Sequence, residues 1–168
     1  MNTASSVDIA PLGFRHWDRV RDIYLEGLAT GEASFETRAP DWTEWDRAHL
    51  AWPRLVATLR NEVVGWVALC PVSQRKCYAG VAEISIYVAG EARGRGVGTL
   101  LLNEAVRASE ETGLWTLQAV VFPTNLRSIR LHEACGFRVV GRRQRVAQRE
   151  GEWRDTLLLE RRSAVVGV

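Results

Sequence analysis

Apolar positions recur along this chain in two rhythms, every second residue and every third or fourth, and the alternation of the two predicts its elements. Val7 to Pro11 reads as a first strand, and Trp17 to Leu28 as an amphipathic helix that turns Val20, Ile23 and Tyr24 inward. A loop, Gly31 to Glu36, precedes a second helix over Trp42 to Ala51, for which Asp41 or Thr43 can serve as the cap. Arg54 to Leu59 and Val63 to Cys70 make a hairpin folded across Arg60, Asn61 and Glu62. From Ala82 to Val88 the alternation is strict, with Ile84, Ile86 and Val88 on one face and Ser85 and Tyr87 on the other. A glycine-rich stretch follows, and then a helix with Leu101, Ala105 and Ala108 on one stripe. Trp115 to Val121 is a buried strand, Asn125 to Cys135 a helix stopped by Gly136, and Phe137 to Val146 with Trp153 to Arg161 a last hairpin turning at Glu150 and Gly151. Strands first, then β-α-β-α-β with a closing hairpin, implies a mixed α/β sheet.

Composition narrows the class. The 168 residues fit one domain, placed at 7–163, with residues 1–6 as a disordered N-terminus and 164–168 as a short tail. A net charge of +2 with 25% charged residues gives no bias toward nucleic acid or a membrane surface. No apolar run reaches the length of a membrane span, and the first residues lack a signal-peptide shape. Cys70, Cys77 and Cys135 are odd in number and lack C-x-x-C spacing, which argues against a disulfide framework and a zinc site and fits a reducing cytoplasm. His16 and His49 have no acidic or histidine neighbours at ligand spacing and read as surface residues, so no metal is expected.

The candidate chemistry centres on the junction after Val88. Gly94, Gly96 and Gly98 alternate with Arg95 and Val97, directly after Arg93 and before the helix that begins near Thr99. Strand, glycine turn and helix start together present unpaired backbone N–H groups and the positive end of a helix dipole. Glycines let the main chain approach phosphate oxygens closely, and the two arginines add charge, so the fitting anion is a diphosphate. A P-loop is excluded because no lysine follows these glycines. The dinucleotide fingerprint fails because Thr99 holds the place of its third glycine.

What fits is R-x-x-G-x-G, and here the chain resembles the GCN5-related N-acetyltransferase (GNAT) family, whose motif of this form binds the pyrophosphate of acetyl-CoA. A second block, Asn125-Leu-Arg-Ser-Ile-Arg-Leu-His-Glu-Ala-Cys-Gly-Phe, is similar to the family's N-x-x-S/A stretch ending in G-F. Gly31-Glu-Ala-Ser-Phe-Glu36, Arg75-Lys-Cys-Tyr78 before Ala82-Glu83, and Gly141-Arg with Gly151-Glu-Trp153-Arg-Asp155 resemble the branch of phosphinothricin and methionine sulfoximine N-acetyltransferases. The likeness runs from about Ile9 to Ser163. One departure stands out: Lys76-Cys77 replaces the Pro-Ala that relatives often carry between the arginine and tyrosine, which puts that loop's shape in question.

The resemblance implies a GNAT fold, a central twisted, mostly antiparallel mixed sheet of about seven strands with helices on both faces. It implies acetyl-CoA as co-substrate, held by Arg93, Gly94, Arg95, Gly96, Val97, Gly98 and Thr99, by Asn125 and Ser128, and by the strand Ile86, Tyr87 and Val88. A β-bulge near Tyr87 or Val88 would free a main-chain N–H for the acetyl carbonyl. Glu83 is the general base, directly or through water, and His132 stands where relatives place the acid that protonates the departing thiolate. Arg75 suits the acceptor's carboxylate, with Tyr78 in the same loop and Phe35 and Trp153 as apolar walls. The expected reaction is direct transfer to a small amino acid or analogue in a ternary complex, by a homodimer with neither nucleic acid nor membrane as partner. Two alternatives stay open: another amine (aminoglycoside, polyamine or peptide N-terminus), and a non-catalytic CoA-binding regulatory module.

Overall fold

A computed structural model describes residues 6–168, and most of the N-terminal segment expected to be disordered lies outside the described residues. Its strands are β1 (Val7–Pro11), β2 (Arg54–Leu59), β3 (Glu62–Pro71), β4 (Val81–Val88), β5 (Thr116–Val121), β6 (Arg138–Arg149) and β7 (Glu152–Arg162). The helices are α1 (Trp17–Ala29), α2 (Trp42–Ala48), α3 (Val97–Glu111) and α4 (Leu126–Ala134). The seven strands form one sheet in the order β1-β2-β3-β4-β5-β7-β6. Every neighbouring pair is antiparallel except β4 and β5. The expected mixed α/β architecture is therefore present.

Strand alternation sends neighbouring side chains into two separate cores, which is why helices cover both faces. Leu55, Ala57, Val67, Leu69 and Ile84 pack with Leu101, Leu102 and Ala105 of α3, and with Cys135 and Phe137. Val56, Trp66 and Ala68 face the other way, onto Trp17, Val20 and Ile23 of α1 and Trp45 of α2. Trp17, Trp45 and Trp66 are thus packing residues, whereas Trp52 is exposed. His49 is half-buried, not a free surface residue. Its ring stacks on Trp45 at 4.1 Å and its Nδ1 lies 2.6 Å from the Trp45 carbonyl oxygen.

Local chemistry sets the boundaries. Asp41 caps α2, accepting from the Glu44 N–H at 2.9 Å, while the Glu44 carboxylate accepts from the Asp41 N–H. This helix ends at Ala48, three residues short of the expected stop. Arg60 and Asn61 both take positive φ in the two-residue β2–β3 turn, tighter than the three-residue loop read from the sequence. The last hairpin turns at Glu150 and Gly151 as expected, but β6 continues to Arg149 instead of ending at Val146. Among the described residues, no helix is long and apolar enough to cross a membrane.

Candidate active site

The decisive feature is a splay between β4 and β5. Their parallel pairing covers Val81–Thr116, Ala82–Leu117 and Glu83–Gln118, and then stops. Beyond it β4 stays with β3 and β5 stays with β7. The opened strands enclose a cleft of about 490 Å³, walled by Ile84 to Val88 on one side and Ala119 to Phe122 on the other.

Which main-chain groups face this cleft follows from register. The Ala89 N–H donates to the Val64 oxygen at 2.9 Å, toward β3. Alternation then directs the Tyr87 N–H toward β3 and the Ile86 and Val88 N–H groups away from it, across the splay. The Val88 oxygen also faces away from β3, since it accepts from Arg93 Nε at 3.2 Å. β3 and β4 pair one for one from Gly65–Val88 to Pro71–Ala82, so the expected bulge is absent. Loss of the β5 ladder is what frees donors here, and Tyr87 is not among them. Its ring stacks on Trp66 at 4.9 Å, and burial raises the phenol well above its usual pKa.

Glu83 sits on the last paired rung, at the inner end of the cleft. Gln118 Nε2 donates to its Oε2 at 3.2 Å and orients the carboxylate. Its cross-strand neighbour is Cys70, whose thiol is pushed up to about 11, first by burial and then by the Glu83 charge. Phe35 lines the cleft and meets Phe122 edge-on at 4.9 Å.

At the other end, Gly94 and Gly96 adopt φ of 75° and 78°, and a Cβ on either would meet no atom within 4 Å. The turn is therefore open on the side where a Cβ would stand. Gly96 caps α3, whose first turn carries no acidic residue to neutralise its dipole. Arg93 lines the cleft, while Arg95 and Thr99 are exposed. Val97 contributes main chain only, because its side chain is in the core. The side-chain-free Gly98 lets Leu131 of α4 approach, its Cβ position lying 3.0 Å from Leu131 Cδ2.

Helix α4 supplies the remaining wall through Ser128, Leu131 and His132, with Arg127 beside them. Asn125 caps it, its Oδ1 accepting from the Ser128 N–H at 3.1 Å, and its Nδ2 donates to the Glu32 oxygen at 3.1 Å. His132 is 2% exposed. Its Nδ1 lies 2.8 Å from the Ser128 carbonyl oxygen, which makes Nδ1–H the donor and leaves Nε2 as an acceptor with no partner in the protein. Burial lowers its pKa and the Ser128 contact opposes that only in part, so the ring is neutral. A buried unpartnered nitrogen on the cleft, and an open glycine turn just past its lining residue Arg93, fit an extended ligand with a diphosphate at one end and a polar atom near His132.

Three expected acceptor residues stand elsewhere. Arg75, Tyr78 and Trp153 are exposed and do not line the cleft. Arg75 instead lies over the Tyr78 ring at 5.6 Å, on the short turn Lys76–Tyr78. Sequence reading missed Glu32, Ser34, Glu36 and Thr156, which do line it. For the first three the signal lies in the Gly31–Glu36 block, where the family resemblance points to the segment but residue type singles out only Phe35. Among the described residues, no group of three His, Cys, Asp or Glu could hold a metal ion.

Known proteins give this geometry its context. Residues 17–137 match the acetyltransferase (GNAT) family. Phosphinothricin N-acetyltransferase of Alcaligenes faecalis is 38% identical over 148 residues, 83% of this chain and 74% of that protein. The L-methionine sulfoximine/L-methionine sulfone acetyltransferase of Pseudomonas aeruginosa is 31% identical over 134 residues, 79% of this chain and 73% of that protein. The crystal structure of a phosphinothricin acetyltransferase from Sinorhizobium meliloti in complex with AcCoA superposes with a TM-score of 0.84 at 27% identity, covering 96% of this chain and 90% of that one. With its open β4–β5 cleft, glycine cradle and capped α4, the chain belongs to the acetyltransferase (GNAT) family and is an N-acetyltransferase.

Proposed function

We propose that the protein acetylates the amine of a small amino acid or close analogue, of the phosphinothricin or methionine sulfoximine type, with both substrates bound together. The observation that carries this reading is Glu83, held by Gln118 on the wall of a cleft that Arg93 also lines, next to the open glycine turn that would take a diphosphate. Likeness to relatives with these acceptors in their names supports the substrate class.

Acetyl-CoA, the family's acetyl donor, supplies an activated thioester. Arg93, the Gly94–Gly98 main chain and the α3 N-terminus would hold its diphosphate, with Arg95 and Thr99 at the rim. Asn125 and Ser128, which line the cleft, would flank the arm that follows. The Ile86 and Val88 N–H groups supply positioned donors to an oxygen that gains charge in the transition state. Glu83 takes the proton that the amine must lose, directly or through a water. His132 Nε2, a bare acceptor in the resting site, would take the second proton that the attacking nitrogen sheds as it becomes an amide and pass it to the departing thiolate. Burial and the neighbouring Glu83 charge hold Cys70 as the thiol, so no covalent acetyl-cysteine step is invoked.

Arg75, Tyr78 and Trp153 lie outside one chain's cleft, so their part in acceptor binding requires a second copy. A homodimer belongs to the proposal. Among the described residues the outer edge of β6 has no strand partner, and Val139, Val140, Val146 and Trp153 of the last hairpin are exposed. Thiol release from acetyl-CoA, measured with phosphinothricin, methionine sulfoximine, methionine sulfone, an aminoglycoside, spermidine and a short peptide, tests both parts. The expected outcome is release with the first three alone, from a protein that light scattering sizes at two chains. Release only with the last three would overturn the acceptor class, and acetyl-CoA binding without any release would favour a regulatory module.

A further inference from the structure

The Gly31–Glu36 loop lines the cleft on the side of Glu83, where the acetyl-transfer reading puts the acceptor, yet it is neither helix nor strand. In front of it lies the cleft. Behind it lies a second cavity of about 450 Å³, bounded by Leu25, Leu28, Ala29, Thr30, Gly31, Thr37, Arg149 and Glu150. A loop between two open spaces keeps its place only through its tethers, and here they converge from distant parts of the chain.

We propose that Arg149 is a positioning residue that sets acceptor affinity by clamping this loop. Arg149 is the last residue of β6 and its side chain is only 14% exposed. Nε donates to the Ser34 oxygen at 3.2 Å, and Nη2 donates to the Leu28 oxygen at 3.3 Å near the end of α1. Nη1 pairs with Glu150, which aims the guanidinium. One planar fork thus joins the helix end, the loop and the last hairpin. The fixed backbone places the Ser34 hydroxyl against Tyr24 and Tyr87, and Phe35 against Phe122. On the opposite side, Arg154 pairs with Glu32 at 3.5 Å and lies over Phe122 at 4.6 Å, while Thr124 and Asn125 also bond Glu32. Those contacts tie the loop to the α4 corner and leave Arg149 as the restraint on the cavity side.

The inference rests on the acetyl-transfer reading for its kinetic effect, but not for its structural one. The experiment compares Arg149→Met and Arg149→Lys with the wild type, using acetyl-CoA and methionine sulfone, alongside amide hydrogen exchange over residues 31–36. Loss of two charge-assisted bonds predicts a rise of about ten-fold in acceptor KM for Arg149→Met. Acetyl-CoA KM and the thermal midpoint should stay near wild type, with faster exchange confined to the loop. Arg149→Lys, which offers charge without the fork, should recover part of the loss. Unchanged loop exchange in Arg149→Met overturns the clamp whether or not the enzyme turns over. Acceptor and acetyl-CoA KM rising together with a fallen midpoint also overturns it, since that is general destabilisation. A wild type that acetylates none of the acceptors sinks the functional reading instead, and loop exchange still decides the clamp.

Discussion

Burial sets the protonation of His132 on the cleft wall. The His132 ring is buried, bonded through Nδ1 and neutral, with its folded pKa held below the ordinary 6.5 by desolvation. In the unfolded chain the same ring takes up a proton as pH falls through 6.5, while the folded ring resists. Stability is therefore complete above that value and declines as pH drops toward the lowered folded pKa. One such proton contributes a slope of at most about 1.4 kcal/mol per pH unit. His49 and His16 are lowered as well, both chiefly by desolvation, and add in the same direction. The urea midpoint should thus fall between about pH 7.5 and about pH 5.5, and fall less in His132→Asn. An equal fall in the variant would show that this histidine is not linked to folding.

Elements position these residues, and the glycine turn is the clearest case. A Cβ at Gly96 strikes nothing in the protein, so Gly96→Ala costs only the strain of a left-handed backbone, on the order of 1–2 kcal/mol. The larger effect falls on the ligand, because the methyl group enters the open side of the cradle. Acetyl-CoA KM should rise about ten-fold or more while acceptor KM holds, as read from paired saturation curves. Equal changes in both would place the diphosphate elsewhere. This turn was legible in the sequence because strand, glycines and helix follow one another without interruption. Asn125 was legible as a residue of the site. Its use of Oδ1 to cap α4 and Nδ2 to hold the Glu32 oxygen was not, since a contact across 93 positions leaves no local pattern. The free main-chain donors were expected from a bulge, and the structure supplies them by strand splay; pairing between β4 and β5 is a tertiary outcome that neither sequence reports.

At the scale of the molecule, one sheet with two cores explains why the mixed α/β architecture could be read from the apolar pattern, while its strand number and mostly antiparallel order came from the family resemblance. The two sets of buried strand residues, Leu55, Ala57, Val67 and Leu69 against Val56, Trp66 and Ala68, are written directly in the period-two pattern. Acceptor residues were the harder part. Arg75, Tyr78 and Trp153 carry suitable chemistry, but one chain keeps them outside the cleft, whereas Glu32, Ser34 and Glu36 reach it through the clamped loop. Chemistry of residue type pointed to the first group; only the path of the chain reveals the second.

The measurement that tests the central claim most directly is thiol release from acetyl-CoA with methionine sulfone by wild type and Glu83→Gln, with acetyl-CoA affinity determined on both. Removing a general base lowers kcat by about 10²–10⁴-fold. The account expects that loss with acetyl-CoA binding unchanged, because Glu83 lies at the inner end of the cleft, away from the glycine cradle. Turnover preserved in Glu83→Gln, or binding lost along with turnover, would contradict it.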